Sequence, residues 1–121
     1  MVFCLTLFIA IEHAAFLVLE MFLWRKPQGL RVFGMTPQQA EATAVLAANQ
    51  GLYNGFLAAG LLWSLFAPTA LALPLRLFFA TCVALAGCYG AYSVSRRIFF
   101  IQALPALLLL GVLLAATFMP Q

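Results

Sequence analysis

Four apolar runs, each long enough to cross a bilayer and separated only by short polar breaks, constrain this chain more than any other feature. They read as Val2 to Trp24, Pro37 to Phe66, a third run starting between Thr69 and Pro74 and ending near Ser93, and Ile98 to Met119. A helix needs about 20 mostly apolar residues to span the hydrocarbon core, where each backbone N–H and C=O must be satisfied within the segment. Composition agrees. Of 121 residues, 66% are hydrophobic and only 7% charged, against roughly a quarter charged in an ordinary globular domain. A chain this short has too little interior to hide so much apolar surface from water. Soluble enzyme, secreted disulfide scaffold and disordered chain are therefore excluded. The expected fold class is all-α, a polytopic four-transmembrane-helix bundle forming a single domain over residues 1–121. Its helices are expected at 2–24, 37–66, 72–93 and 98–119, with no long tails.

Local signals set the ends of these runs. Arg25-Lys26-Pro27 stops the first. No basic region precedes it and no small-residue cleavage site follows, so it reads as a retained helix rather than a signal peptide. Gln28 to Met35 reads as a short, basic, partly apolar connector. Thr36-Pro37-Gln38-Gln39 has the pattern of an N-cap, a proline at the first helical position and a capping-box glutamine. Glu41, one turn in, complements the helix dipole. Ala67-Pro68-Thr69 makes a tight turn, and Pro105 should kink the last helix or free a carbonyl near Ile101.

The basic residues orient the helices. Arg25, Lys26 and Arg31 follow the first helix and Arg96 and Arg97 the third, while only Arg76 lies toward the opposite face, where it can snorkel. Counting lysines and arginines in loops gives an N-out/C-out protein of a bacterial inner (cytoplasmic) membrane, with both basic loops cytoplasmic. Trp24 and Trp63 then anchor opposite interfaces. The net charge of +3 forms no basic stripe, so no nucleic-acid partner is expected. Cys4, Cys82 and Cys88 lie in apolar runs without CxxC spacing and read as small buried hydrophobes.

Polar residues inside the spans call for a reason. Glu12, His13 and Glu20 share the first helix. An ionised side chain at a helix centre costs roughly 2.5–3.5 kcal/mol on insertion scales, so such residues are functional-site candidates. At about 100° per residue, His13 and Glu20 point within about 20° of each other, roughly 10 Å apart along the axis. Glu12 lies about 100° from His13. The second helix supplies Asn49, Gln50 and Asn54, and beside them Ala47, Gly51, Gly55 and Ala59 form a small-residue stripe that lets another helix approach closely. That stripe serves either internal packing or a homodimer. Tyr89 and Gln102 add polar groups at similar depth. Together these predict a polar cavity opening toward the cytoplasm, and an outer half, Leu61 included, that faces lipid. Amides and small residues can also serve helix association alone.

Three functional readings follow. The first is a protein that binds or carries a proton, ion or small polar solute: Glu12 or Glu20 titrates, His13 relays, and Asn49, Gln50, Asn54, Tyr89 and Gln102 hold the ligand. The second is a membrane-embedded enzyme, isomerase- or epimerase-like, using Glu12, His13 and Glu20 for acid/base chemistry on a lipid or hydrophobic metabolite. The third is a structural partner subunit. One histidine without HxxxH or ExxH spacing argues against a dedicated metal site. No cofactor motif is present, neither a haem-attachment CxxCH, a phosphate loop nor a dinucleotide fingerprint.

Several stretches together carry a family resemblance: Glu12-His13 through Phe16, Glu20, Phe22 and Trp24; Phe33-Gly34-Met35-Thr36; Ala48-Asn49-Gln50-Gly51-Leu52-Tyr53-Asn54-Gly55; Ala86 to Ala91; and Gln102-Ala103-Leu104-Pro105-Ala106. They span essentially the whole chain, and it resembles the bacterial integral-membrane family catalogued as domain of unknown function 1304. The resemblance implies a four-helix membrane protein and assigns no activity.

Overall fold

The structure is a computed structural model and describes residues 1–118. Among these residues there is no strand. The elements in chain order are α1 (Val2–Met21), α2 (Pro27–Phe33), α3 (Pro37–Phe66), α4 (Thr69–Ser93), a π-helical turn (Phe99–Ala103) and α5 (Leu104–Phe118). Among the described residues three segments are long and apolar enough to cross a membrane: α1, α4, and the continuous helix Phe99–Phe118. At 30 residues α3 exceeds a bilayer's requirement in length, but Gln38, Gln39, Glu41, Asn49, Gln50 and Asn54 dilute its hydropathy.

Most of the expected helix ends stand within a few residues of the observed ones. The capping box at the start of α3 forms as read: Gln39 N–H donates to Thr36 Oγ1 at 3.2 Å, and Thr36 N–H donates to Gln39 Oε1 at 2.9 Å. The first helix stops at Met21 rather than Trp24, and α4 begins at Thr69 rather than at residue 72, taking Pro74 within it. The expected end of the last helix at Met119 lies outside the described residues.

The connector at 28–35 is corrected. Pro27–Phe33 is a helix, with Pro27 at its first position and Gly34 closing it in the left-handed conformation at φ 62°. Gly34 is the described residue that needs glycine's freedom at positive φ. The last helix continues through Pro105. The turn before it widens to π geometry, with the Leu104 N–H bonded to the Phe99 carbonyl, so the proline's missing donor and ring bulk are absorbed without ending the helix.

The chain divides into two compact units, one of residues Ile11–Ala58, the other of Met1–Ala10 with the chain from Ala59 onward. In the latter unit α4 packs against the π turn and α5. A Cβ at Gly87 would meet the Ala103 backbone nitrogen at 2.6 Å, so the two backbones pass without an intervening side chain. Here Arg76 is half-buried. Its Nη2 donates to the Ser64 carbonyl in the last turn of α3 at 3.1 Å, satisfying an orphan carbonyl at the negative end of the helix dipole.

Side-chain size sorts in the sense expected for lipid rather than water. The core is largely alanine, including Ala10, Ala40, Ala47, Ala58, Ala80, Ala84, Ala103 and Ala106, while Phe8, Ile11, Phe22, Val45, Phe78 and Leu85 point outward. Water would penalise that surface heavily, whereas hydrocarbon does not, and small residues let helices close up. Leu61 departs from its expected lipid-facing place and is fully buried. The cysteines are corrected as well. Cys4 and Cys88 are exposed and Cys82 is intermediate, all three free; a thiol is apolar enough for an outward, lipid-compatible face.

Candidate functional site

Within the unit Ile11–Ala58 the end of α1 lies against the first half of α3, and glycines set the spacing. A Cβ at Gly51 would stand 2.8 Å from Met21 Cγ and 3.0 Å from Glu20 Cβ, and one at Gly55 would overlap the Leu17 side chain. The small-residue stripe at these two positions therefore serves packing within the chain. That close approach brings short amide side chains within reach of a carboxyl on the other helix.

Three candidates converge there. Asn54 Nδ2 donates to both Glu20 oxygens at 3.3 Å, and Gln50 Nε2 donates to Glu20 Oε1 at 3.4 Å. Gln50 and Asn54 sit one turn apart, so one face of α3 presents both. Glu20 is only 4% exposed and Asn54 8%. Hydrogen bonds of this length are at the weak end of the range. A carboxyl group has about four lone-pair sites, so these donors leave it capacity for a ligand.

Glu20 also lines an open cleft of about 510 Å³, together with Met21, Phe22, Trp24, Arg25, Lys26, Glu41, Ala44, Val45 and Ala48. Arg25 Nη1 meets both Glu41 carboxylate oxygens at 3.2 Å, with both side chains largely exposed. Glu41, read from sequence as a dipole partner, thus ties the end of α1 to the start of α3. Trp24 is held from two sides. Its indole N–H donates to Thr43 Oγ1 at 3.1 Å, and its ring lies 4.7 Å from that of Phe33 in α2. Gly29 presses α2 against the Leu23 and Trp24 carbonyls, where a Cβ would not fit. The short helix thus braces the wall of the cleft.

Of the remaining candidates, Glu12, His13 and Asn49 belong to the same unit and Tyr89 and Gln102 to the other. Glu12, two turns before Glu20, is half-buried, and its Oε2 is enclosed without a hydrogen-bond partner. His13 is fully buried, its ring edge-on to Phe16 at 5.4 Å. Asn49 is exposed on the flank of α3. Tyr89, 71% exposed, and Gln102, half-buried in the π turn, belong to the unit that begins again at Ala59. No group of three metal-type ligands occurs among the described residues. Sequence reasoning missed the cleft-lining roles of Trp24, Arg25, Lys26 and Glu41. The available signal was a pair of opposite charges, Arg25 and Glu41, at the two ends of one short connector.

No solved structure matches the chain. Over 108 residues it is 32% identical to the Uncharacterized protein YpaA of Lactococcus lactis subsp. lactis (strain IL1403), a match covering 88% of this chain and 90% of that protein. Residues 7–114, which include every candidate above, match a family described as Protein of unknown function (DUF1304), and the chain belongs to that family.

Proposed function

We propose that this protein crosses a bacterial inner membrane four times, with α3 as the fourth span and both basic loops cytoplasmic, and that it binds and carries a proton, ion or small polar solute at Glu20. The observation that carries this reading is a buried carboxyl group held by two amides at the wall of an open cleft. Burying an ionisable side chain without a covalent or metal partner is expensive. A purely structural contact between α1 and α3 would be served more cheaply by apolar side chains.

The isomerase-like reading is less well supported. Its imidazole, His13, lies about 10 Å along the helix from Glu20, the carboxyl group that lines the cleft. Asn54, Gln50 and Glu20 form the core of the binding site, and Glu12, His13, Asn49, Tyr89 and Gln102 are its outlying candidates. A test is flux into proteoliposomes carrying an entrapped pH dye, under sodium, potassium, ammonium and ethanolamine gradients. Wild type should move at least one of these, or protons alone, faster than empty vesicles, and Glu20→Gln should not. Equal rates for wild type, Glu20→Gln and empty vesicles under all gradients would remove the carrier reading.

A further inference from the structure

The charges lining the cleft do not all remain available to a ligand. Arg25 and Glu41 neutralise one another at 3.2 Å. What is left is one acid at the buried wall, Glu20, and one base at the exposed mouth, Lys26, for which no ion pair is found among the described residues. The cleft is therefore dipolar, negative inside and positive outside. A simple cation would be drawn to Glu20 but opposed by Lys26 at the entrance, and a simple anion would meet the reverse. A ligand carrying both signs in the same order is favoured by both groups.

Donor and acceptor chemistry narrows the inner end. Gln50 and Asn54 spend N–H groups on Glu20, and the carboxyl group keeps lone pairs for a donor in the cleft. A primary ammonium, with three donors and no acceptor, matches that set. A multivalent metal ion matches it poorly, since no group of three metal-type ligands occurs among the described residues. At the outer end Lys26 suits a phosphate or carboxylate. The cleft walls also carry Phe22 and Val45, 65% and 78% exposed, so an acyl chain could leave the cleft along an apolar face. A volume of about 510 Å³ lies within the usual range for small-ligand sites.

Resting on the binding reading above, we infer that the ligand is a zwitterion, with a primary ammonium seated at Glu20 and an anionic group at Lys26. The headgroup of an aminophospholipid and a free aminoalkyl phosphate share this chemistry.

The test is calorimetric titration of the full-length protein in detergent with phosphoethanolamine, ethanolamine and inorganic phosphate, on wild type, Lys26→Gln and Glu20→Gln. Phosphoethanolamine should bind wild type at least tenfold more tightly than ethanolamine or phosphate. Lys26→Gln, at an exposed position, should bring phosphoethanolamine down to the level of ethanolamine, while ethanolamine binds no less tightly because the opposing charge at the entrance is gone. Glu20→Gln should lose both amines. Native mass spectrometry with phosphatidylethanolamine against phosphatidylcholine separates the two sources. Glu20- and Lys26-dependent retention of the former assigns the lipid, and no retention with tight phosphoethanolamine binding assigns the free zwitterion. If ethanolamine binds through Glu20 but phosphoethanolamine binds no tighter and Lys26→Gln changes nothing, the zwitterion inference is overturned while Glu20 remains a binding group. If no probe binds in a Glu20-dependent manner, the inference fails together with the ligand-site assignment.

Discussion

At Glu20 two requirements meet. Its carboxyl group must be held, because it is buried, and it must stay reachable, because it lines the cleft. Asn54 meets the first by contacting both oxygens, whereas Gln50 reaches one of them from an exposed flank. The two amides should therefore differ in effect. Asn54→Ala leaves a buried acid short of its main donor and should destabilise by about 1–3 kcal/mol. Gln50→Ala should fall at or below the ~0.6 kcal/mol average found for hydrogen bonds between membrane helices. Unfolding in a graded denaturing-detergent series checks the order, and equal losses would mean that Asn54 does not carry the carboxyl group. The pairing of Glu20 with Gln50 and Asn54 was within reach of the sequence, since all three were read as pointing into the protein. Tyr89 and Gln102 fall in the other compact unit, a division of the chain that hydropathy and depth along a span do not reveal.

Elements formed where their signals were local. The capping box gave α3 its start, the Pro105 reading gave the disturbed turn near Ile101, and hydropathy gave α1, α4 and the last helix. Helix α2 was missed because seven residues with two flanking breaks show no apolar period. It is held instead by Gly29 against the Leu23 and Trp24 carbonyls and by Trp24 on Phe33. A helix-start proline and a helix-stop glycine, Pro27 and Gly34, were its legible trace. The approach of α1 to α3 rests on Gly51 and Gly55, so Gly51→Leu must push Met21 and the Glu20 stem aside. Overpacking of this kind costs typically 1–3 kcal/mol and should also weaken ligand binding in the molecules that still fold. Leu61→Ala, by contrast, removes a fully buried side chain and should cost about 2–5 kcal/mol with binding per folded molecule kept. Stability and binding measured on both variants check this, and parallel losses of binding would disconnect the glycines from the site.

For the molecule as a whole, the account requires the segments 25–36 and 94–98 to share one side of the membrane and the 67–68 turn the other. In a background with Cys4, Cys82 and Cys88 replaced by serine, a cysteine at Gln28 or Ser95 should react with an impermeant maleimide only after lysis, and one at Ala67 in intact cells. Labelling of Gln28 and Ser95 from opposite sides would remove α3 as a span. Outward-facing phenylalanines and an alanine-rich core were not visible as such in the sequence, because composition fixes the solvent but not which residue faces it. The assignment of Glu20 as the ligand-holding group is decided by melting temperature and ligand binding measured together on purified wild type and Glu20→Gln. The amide replacement keeps the side chain's size, removes the charge and turns one of the two acceptor oxygens into a donor, which Asn54 meets by presenting its own amide oxygen. The expected result is a melting temperature held or raised and a ligand-dependent shift abolished. A variant that unfolds, yet binds ligand as wild type does per folded molecule, would make Glu20 a strut between α1 and α3 and contradict the account.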